Sequence, residues 1–157
     1  MEKITIICVD DQREVLSAVL KDLAEFEPSF LLEDCESADE ALALMDELDA
    51  EGEFIGVIIS DHVMPGKSGV ELLTTVANDS RFIHTKKVLL TGQATHQDTI
   101  AAINQARIES YFEKPWDTEA LISCVRVLVT EYIFDMGLDY TLWGDVIDNT
   151  TVLRRLR

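Results

Sequence analysis

Five polar residues follow or end short apolar runs of the sequence, and their side chains suit a phosphoryl-transfer site that uses a metal. They are Asp10, Asp11, Asp61, Thr91 and Lys114. Carboxylate oxygens are ligands that suit Mg²⁺, whereas a hydroxyl and an ammonium can donate hydrogen bonds to phosphoryl oxygens. If the fold brings the five together, the sequence predicts a site for Mg²⁺ and a phosphoryl group.

The apolar runs explain how these residues could meet. Each run is short and continuous, and helix-length segments separate one from the next, which is the pattern of buried parallel strands. The predicted strands cover residues 3–9, 30–36, 55–60, 86–91 and 109–113. Ligands of an open parallel sheet bind at the carboxyl ends of its strands, so all five residues are expected on one rim.

The segments between the strands have helical patterns. The predicted helices cover residues 12–26, 38–49, 69–79, 95–107 and 117–136, and the first and last keep their apolar residues on one face. Ser37 and Asp117 are predicted N-caps, and Gly137 is the predicted stop of the last helix. The sequence therefore predicts an α/β fold with five βα units.

Composition limits the classes of protein to which the chain could belong. A length of 157 residues and a hydrophobic fraction of 47% suit one compact domain with a real core, and no apolar stretch has the length of a membrane span. Thirty acidic residues against thirteen Lys and Arg give a net charge of −17, which argues against nonspecific binding of nucleic acid. A start without a signal-peptide pattern predicts a cytoplasmic protein.

The cysteines agree with that location. Cys8, Cys35 and Cys124 are an odd number without the paired spacing of a metal site. We predict buried, reduced thiols, as expected in a reducing compartment.

A family resemblance emerges once the loop after Asp61 is included. Residues 61–69 read DHVMPGKSG, and their Pro and Gly force a turn before the next helix. An acidic pair, an Asp followed by Met-Pro-Gly, a Thr-Gly and a Lys-Pro-Trp occur in this order along the chain. Over residues 3–130 the sequence resembles the receiver domain of two-component response regulators.

The resemblance implies a fold and a division of the chain. Receivers have a flavodoxin-like (βα)5 fold, a doubly wound parallel sheet with strand order 2-1-3-4-5. We accordingly expect a receiver domain over residues 1–130 and a C-terminal helical extension or linker over residues 131–157.

The resemblance also implies a role for each site residue. Asp61 would be the phosphoacceptor, and a histidine kinase or phosphotransfer protein would be the donor. Asp10, Asp11, Asp61 and the backbone carbonyl of Val63 would hold Mg²⁺. Lys114 would pair with a phosphoryl oxygen and with Asp61, and its bond to the following proline would be cis.

A switch and an output surface follow from the same resemblance. Thr91 would donate its hydroxyl to the phosphoryl group and move inward, and the ring of Tyr111 would follow. The face made by the fourth helix, fifth strand and fifth helix would report the change to a partner. Homodimers could form through that face or through the extension.

Receivers with Lys-Pro-Trp precede varied outputs, including HD-type phosphodiesterases and transcriptional activators. Trp116 could instead simply pack against the start of the fifth helix.

The last twenty residues, 138–157, leave three readings open. Their aromatic and aliphatic side chains are expected to be buried against another surface. Packing on the receiver, pairing with a second copy or joining a downstream domain would each bury them. The three arginines among the last four residues could cap a helix end or meet an acidic partner. The segment is too short for an independent output domain, and we expect no direct binding of nucleic acid or membrane.

The sequence lacks residues that two alternative functions would need. A phosphohydrolase of the haloacid dehalogenase type would need Asp-x-Asp after the first strand, whereas Asp61 follows the third and Val63 is not an acid. A P-loop through Gly66 and Lys67 would need glycine at position 61. A receiver that binds partners without phosphorylation stays open. We expect a signalling module and not an enzyme.

Overall fold

The computed structural model describes residues 3–92 and 97–157, with the side chains of residues 97–99 excluded. Five strands and five helices alternate, as predicted, and a sixth helix follows. They are β1 (Ile4–Val9), α1 (Arg13–Asp22), β2 (Phe30–Cys35), α2 (Ala38–Ala50), β3 (Phe54–Asp61), α3 (Gly69–Ala77), β4 (Lys86–Thr91), α4 (Gln97–Ala106), β5 (Ser110–Glu113), α5 (Thr118–Asp135) and α6 (Asn149–Arg155).

The strands form one parallel sheet with the order β2-β1-β3-β4-β5, which confirms the predicted topology. Side chains of a strand alternate between the two faces, and both faces here are covered. Ile6 and Cys8 of β1 face the layer of α1 and α5, whereas Ile7 and Val9 face the layer of α2, α3 and α4. Burial on both faces explains why the strands are continuous apolar runs in the sequence.

The helix boundaries differ from the predictions mainly in α1 and α4. The predicted helix 12–26 is α-helical only to Asp22 and then continues as a 3-10 turn, Leu23–Phe26, because Leu23 and Phe26 are fully buried there. The predicted helix 95–107 is described from Gln97 onward, and positions 95 and 96 lie outside the described residues.

The predicted caps are confirmed. The Ser37 hydroxyl accepts a hydrogen bond from the Glu40 N–H, and the Asp117 carboxylate accepts from the backbone N–H groups of Glu119 and Ala120. Gly137 follows α5 with φ of 68°, a left-handed conformation that costs glycine little and stops the helix.

The cysteines are free, as predicted, but their burial is unequal. Cys8 and Cys35 are buried and Cys124 is only partly buried. Burial, reinforced by the charge of Asp34, raises the pKa of the Cys8 thiol to about 12, so it stays protonated and weakly reactive.

The C-terminal extension packs on the α/β domain, which is the first of the three readings of residues 138–157. A 3-10 turn, Tyr140–Trp143, and α6 follow α5. Trp143, Ile147 and Val152 are buried in the same apolar cluster as α1 and α5. Among the helices of the described residues, none is long and apolar enough to cross a membrane.

Polar contacts hold the extension along the second half of α5. The Arg126 guanidinium donates to the Val146 carbonyl at 3.0 Å, and the Asp148 N–H donates to the Thr130 hydroxyl at 2.9 Å. The extension's arginines meet acids of α5, with Arg154 on Glu131 and Arg155 on both Glu131 and Asp135. Of the two readings left open for the three C-terminal arginines, Arg154 and Arg155 therefore follow the second, and the acids that they meet belong to the same chain.

We expect Trp143→Ala to lower the free energy of unfolding by about 4 kcal/mol, because it removes a fully buried indole and leaves a cavity. Urea denaturation of the full chain measures the change. Its neighbour Leu142 is exposed, so Leu142→Ala is the matched control and should change stability by less than about 0.5 kcal/mol. Equal effects of the two substitutions would show that the extension does not contribute to the core.

Candidate functional site

The carboxyl ends of four strands bring the five predicted residues to one rim of the sheet. Asp10 and Asp11 follow β1, Asp61 and Thr91 end β3 and β4, and Lys114 follows β5. A cleft of about 460 Å³ opens there, and its lining includes Asp11, Gln12, Asp61, Val63, Thr91, Gly92 and Lys114. The predicted convergence is therefore observed.

Three carboxylates lie unusually close together in the cleft. One oxygen from each of Asp10, Asp11 and Asp61 lies within 4.8 Å of the others. Asp10 and Asp61 are buried, whereas Asp11 is exposed. The Asp10 carboxylate is held in place locally, because its Oδ1 accepts a hydrogen bond from the Gln12 N–H at 2.9 Å. Three hard oxygen donors around one open space fit a divalent cation such as Mg²⁺.

Lys114 connects two of these acids. Its Nζ donates to Asp10 Oδ2 at 2.9 Å and to Asp61 Oδ1 at 3.0 Å. The backbone fixes the base of this side chain, since the Lys114 N–H donates to the Thr91 carbonyl at 2.9 Å. The bond to Pro115 is cis, as the resemblance implied.

Burial, hydrogen bonds and neighbouring charges together set the pKa values of Asp61 and Lys114. Burial raises the pKa of the Asp61 carboxyl, the hydrogen bond from Lys114 lowers it, the charge of Asp10 raises it, and the balance lies above the ordinary value. Burial disfavours the Lys114 ammonium, but its bonds to Asp10 and Asp61 outweigh this and raise its pKa. The lysine therefore stays charged, and the acids are only partly compensated.

The loop that carries Asp61 packs directly against the start of α3. The Gly69 N–H donates to the His62 carbonyl at 2.8 Å, and a Cβ at position 69 would lie 1.9 Å from the Asp61 carbonyl oxygen. Ser68 and Glu71 close a capping box at this helix start. Only glycine allows this approach of the helix to the end of β3, so Gly69 helps to set the position of Asp61.

The two residues assigned to the switch differ in exposure. Thr91 is buried with 1% of its surface exposed, at the wall of the cleft, and Tyr111 is 47% exposed on the edge strand β5. Because nearly half of its surface is exposed, the Tyr111 ring has space to change its orientation.

Two contributors to the site were not singled out from the sequence. Gln12 lines the cleft and donates its N–H to Asp10. Gly69 supports Asp61 from the next helix. Only their positions in the sequence could have pointed to these two residues. Gln12 directly follows the acidic pair, and Gly69 is the first residue of the helix after the loop.

Comparison with known proteins identifies the family. The family model of the response regulator receiver domain matches residues 6–126. The chain belongs to this family. Receiver domains are signalling modules of two-component systems, so the coarse function predicted from the sequence is confirmed.

Curated relatives include receivers with and without further domains. The hydrogenase transcriptional regulatory protein HoxA of Cupriavidus necator is 34% identical over 125 residues, which cover 80% of this receiver and 24% of HoxA. The chemotaxis protein CheY-3 of Vibrio cholerae is 28% identical over 119 residues, covering 74% and 84% of the two chains. The receiver thus spans about a quarter of the length of HoxA.

Solved structures confirm the CheY-like fold. The receiver domain of an HD domain-containing protein from Pseudomonas fluorescens has a TM-score of 0.72 at 26% identity, with 83% of this chain and 98% of that chain covered. A CheY-like receiver domain from Methanospirillum hungatei has a TM-score of 0.70 at 25% identity, with 86% and 99% covered.

Gly69→Ala should lower the free energy of unfolding by about 3 kcal/mol, because the added methyl group overlaps the backbone of Asp61. Gly144→Ala is the matched control. Its Cβ would meet its nearest neighbour, the Thr141 carbonyl oxygen, at an ordinary 3.7 Å, so its cost should stay below about 0.5 kcal/mol. Urea denaturation of both variants measures the contrast, and a Gly69→Ala variant as stable as the control would contradict the close approach.

Asp61→Asn should raise the melting temperature at pH 7 in the absence of divalent cations. Burial and Asp10 raise the folded-state pKa of Asp61, so its charge destabilises the fold above that pKa. Below the unfolded-state pKa of about 4 the carboxyl is protonated in both states, and the gain should vanish. Thermal unfolding in EDTA at a series of pH values measures this.

Asp135→Asn is the control of opposite sign. Burial opposes its charge, but hydrogen bonds from Lys86 and Arg155 outweigh burial and lower the pKa of Asp135. This carboxylate stabilises the fold above its unfolded-state pKa, and that contribution is lost as the pH falls through the lowered folded-state pKa. Asp135→Asn should therefore lower the melting temperature at pH 7. A pH-independent gain for Asp61→Asn would contradict the electrostatic explanation.

Proposed function

We propose that this receiver accepts a phosphoryl group on Asp61 and that the modification switches a protein-binding surface. The observation that carries the proposal is the grouping of the buried Asp61 carboxylate with Lys114 and two further acids at one cleft. A nucleophilic carboxylate, a cation and a set of metal ligands are the components that phosphoryl transfer requires.

In the proposed step, an oxygen of Asp61 forms a bond to the phosphorus of a phosphohistidine. The bond between phosphorus and the donor imidazole nitrogen breaks, and the imidazole leaves with a proton. The product is an acyl phosphate on Asp61. The donor would be a sensor histidine kinase or a phosphotransfer protein, and the receiver supplies position and charge more than covalent chemistry.

Asp10, Asp11, Asp61 and the Val63 backbone carbonyl would hold Mg²⁺. When bound, the ion would neutralise carboxylate charge and the charge on the phosphoryl oxygens. The carboxylate oxygens within 4.8 Å of one another support this assignment, as does the presence of Val63 on the wall of the same cleft. The incomplete compensation of the acids by one lysine also favours a cation at this place.

Lys114 would hold Asp61 for attack and then pair with a phosphoryl oxygen. Its ammonium already lies 3.0 Å from the Asp61 carboxylate, and its raised pKa keeps it charged at neutral pH. A compact ammonium on a flexible stem can follow the charge as it moves from the carboxylate to the phosphoryl group.

The switch would consist of Thr91 and Tyr111. The Thr91 hydroxyl would donate to the phosphoryl group, and the exposed Tyr111 ring would turn inward as Thr91 moves. That coupled movement would change the α4–β5–α5 face, which a partner or a second receiver would bind. Residues 1–130 would form the receiver domain, with residues 131–157 as its helical extension.

Incubation with Mg²⁺ and acetyl phosphate tests the proposal. Intact mass should show a single addition of about 80 Da, the mass of one phosphoryl group. Asp61→Ala and EDTA should each abolish it. Lys114→Ala should slow the addition about a hundredfold, the scale of losing one group that stabilises transition-state charge.

Asp39→Ala is the control for the loss of an exposed acid outside the cleft, and it should be modified at the wild-type rate. No addition to the wild type, with Mg²⁺ still bound, would favour a receiver that binds its partner without phosphorylation. An addition that survives Asp61→Ala would show that another residue is the acceptor.

A further inference from the structure

The loop that carries Lys114 is tied to α1 by a second contact, away from the acids. The indole N–H of Trp116 donates to Asp22 Oδ2 at 2.7 Å, and the Thr118 hydroxyl donates to the same oxygen at 3.2 Å. Asp22 is the last residue of α1, and Trp116 lies two residues after Lys114. One carboxylate oxygen thus binds the loop and the first residue of α5.

The placement of Asp22 is not explained by its own helix. A carboxylate at a helix C-terminus faces the negative end of the helix dipole, which is unfavourable. Among the described residues, Asp22 also makes no side-chain capping bond to the 3-10 turn that follows it. The hydrogen bonds found for its side chain therefore serve the contact with Trp116 and Thr118.

The hydrogen bond between Asp22 and Trp116, which we call the clasp, means that both ends of α1 are connected to the loop that carries Lys114. At the start of this helix, Gln12 donates to Asp10, and Asp10 pairs with the Lys114 ammonium. At its end, Asp22 holds Trp116 of the same loop. A ten-residue helix spans about 15 Å, so the loop is fixed to one rigid element at two well-separated points.

The short connection between β5 and α5 transmits this restraint to Lys114. Only residues 114–117 join the two elements. The Lys114 N–H is bonded to Thr91, and Asp117 caps α5, so the loop has little freedom once the Trp116 ring is held. Trp116 also packs partly buried against the apolar cluster of α1 and α5, which orients its N–H toward Asp22.

We propose that the Asp22–Trp116 hydrogen bond, supported by Thr118, positions Lys114 for phosphoryl transfer to Asp61. This inference rests on the function proposed above. Asp22 and Trp116 are positioning residues, since neither lines the cleft. A bond from an indole N–H to a carboxylate is charge-assisted and directional, which suits the restraint of a loop.

Trp116→Phe and Asp22→Asn test the clasp. Trp116→Phe keeps an aromatic ring and removes the donor, and it should lower the rate of Asp61 phosphorylation by acetyl phosphate about tenfold, the factor expected for one charge-assisted hydrogen bond. Affinity for Mg²⁺, measured by calorimetry, should be unchanged. Asp22→Asn keeps an acceptor oxygen and should retain most of the rate, whereas Asp22→Ala should match Trp116→Phe.

The Lys114→Ala background separates positioning from a general loss of structure. If the clasp acts through Lys114, adding Trp116→Phe to Lys114→Ala should slow the reaction no further. Trp143→Phe is the matched control, since the described residues offer no hydrogen-bond partner for the Trp143 N–H. It should lower stability by loss of packing without changing the rate.

Amide hydrogen exchange gives a readout that needs no phosphorylation. In Trp116→Phe the Lys114 amide should lose protection about tenfold, while amides of β1 and β3 keep theirs. Wild-type Lys114 protection in Trp116→Phe would overturn the proposal, as would an unchanged phosphorylation rate or an equal slowing in the Lys114→Ala background. If the wild-type receiver is not phosphorylated at all, the proposed function fails, and the exchange result alone decides whether the clasp holds Lys114.

Discussion

The crowding of three carboxylates at one rim of the sheet is the constraint on which this site depends. Like charges within 4.8 Å repel, and two of these acids are buried, where water screens them poorly. A single ammonium, Lys114, bridges Asp10 and Asp61 and offsets part of that repulsion. The balance leaves Asp61 with a raised pKa. The negative charge that Lys114 does not offset would repel a phosphoryl group, and a bound cation would remove that obstacle.

The fold supports this arrangement by bringing rigid elements to the rim. The acids of β1 and β3 lie side by side because these strands are neighbours in the sheet, and Lys114 reaches them from beyond β4. Gly69 lets α3 approach the end of β3, and the Asp22–Trp116 bond ties the Lys114 loop to α1. The ion pairs can therefore be close because the backbone on each side is held by contacts outside the cleft.

The strand order and the grouping of the five residues at one rim could be predicted from the sequence because their signals are local or belong to a family pattern. Continuous apolar runs mark strands that are buried on both faces, and the acids, the hydroxyl and the lysine stand at the run ends. The end of α1 could not be predicted, since Leu23 and Phe26 continue the helical period and only packing turns the chain into a 3-10 turn. Nor does any local pattern pair Asp22 with Trp116, which lies 94 residues away.

The extension divides α5 into two halves with different surroundings. In the second half, Thr130 is bonded to the Asp148 N–H, and Glu131 and Asp135 are paired with arginines of α6. Nearer the start of the helix, Thr118, Glu119 and Ser123 are exposed, as is Tyr111 on β5. A partner that senses the proposed switch would thus meet α4, β5 and the first turns of α5, the part of the face nearest to Lys114. If the proposed switch operates, the extension would limit such a partner to the region where movement of Thr91 and Tyr111 would change the surface.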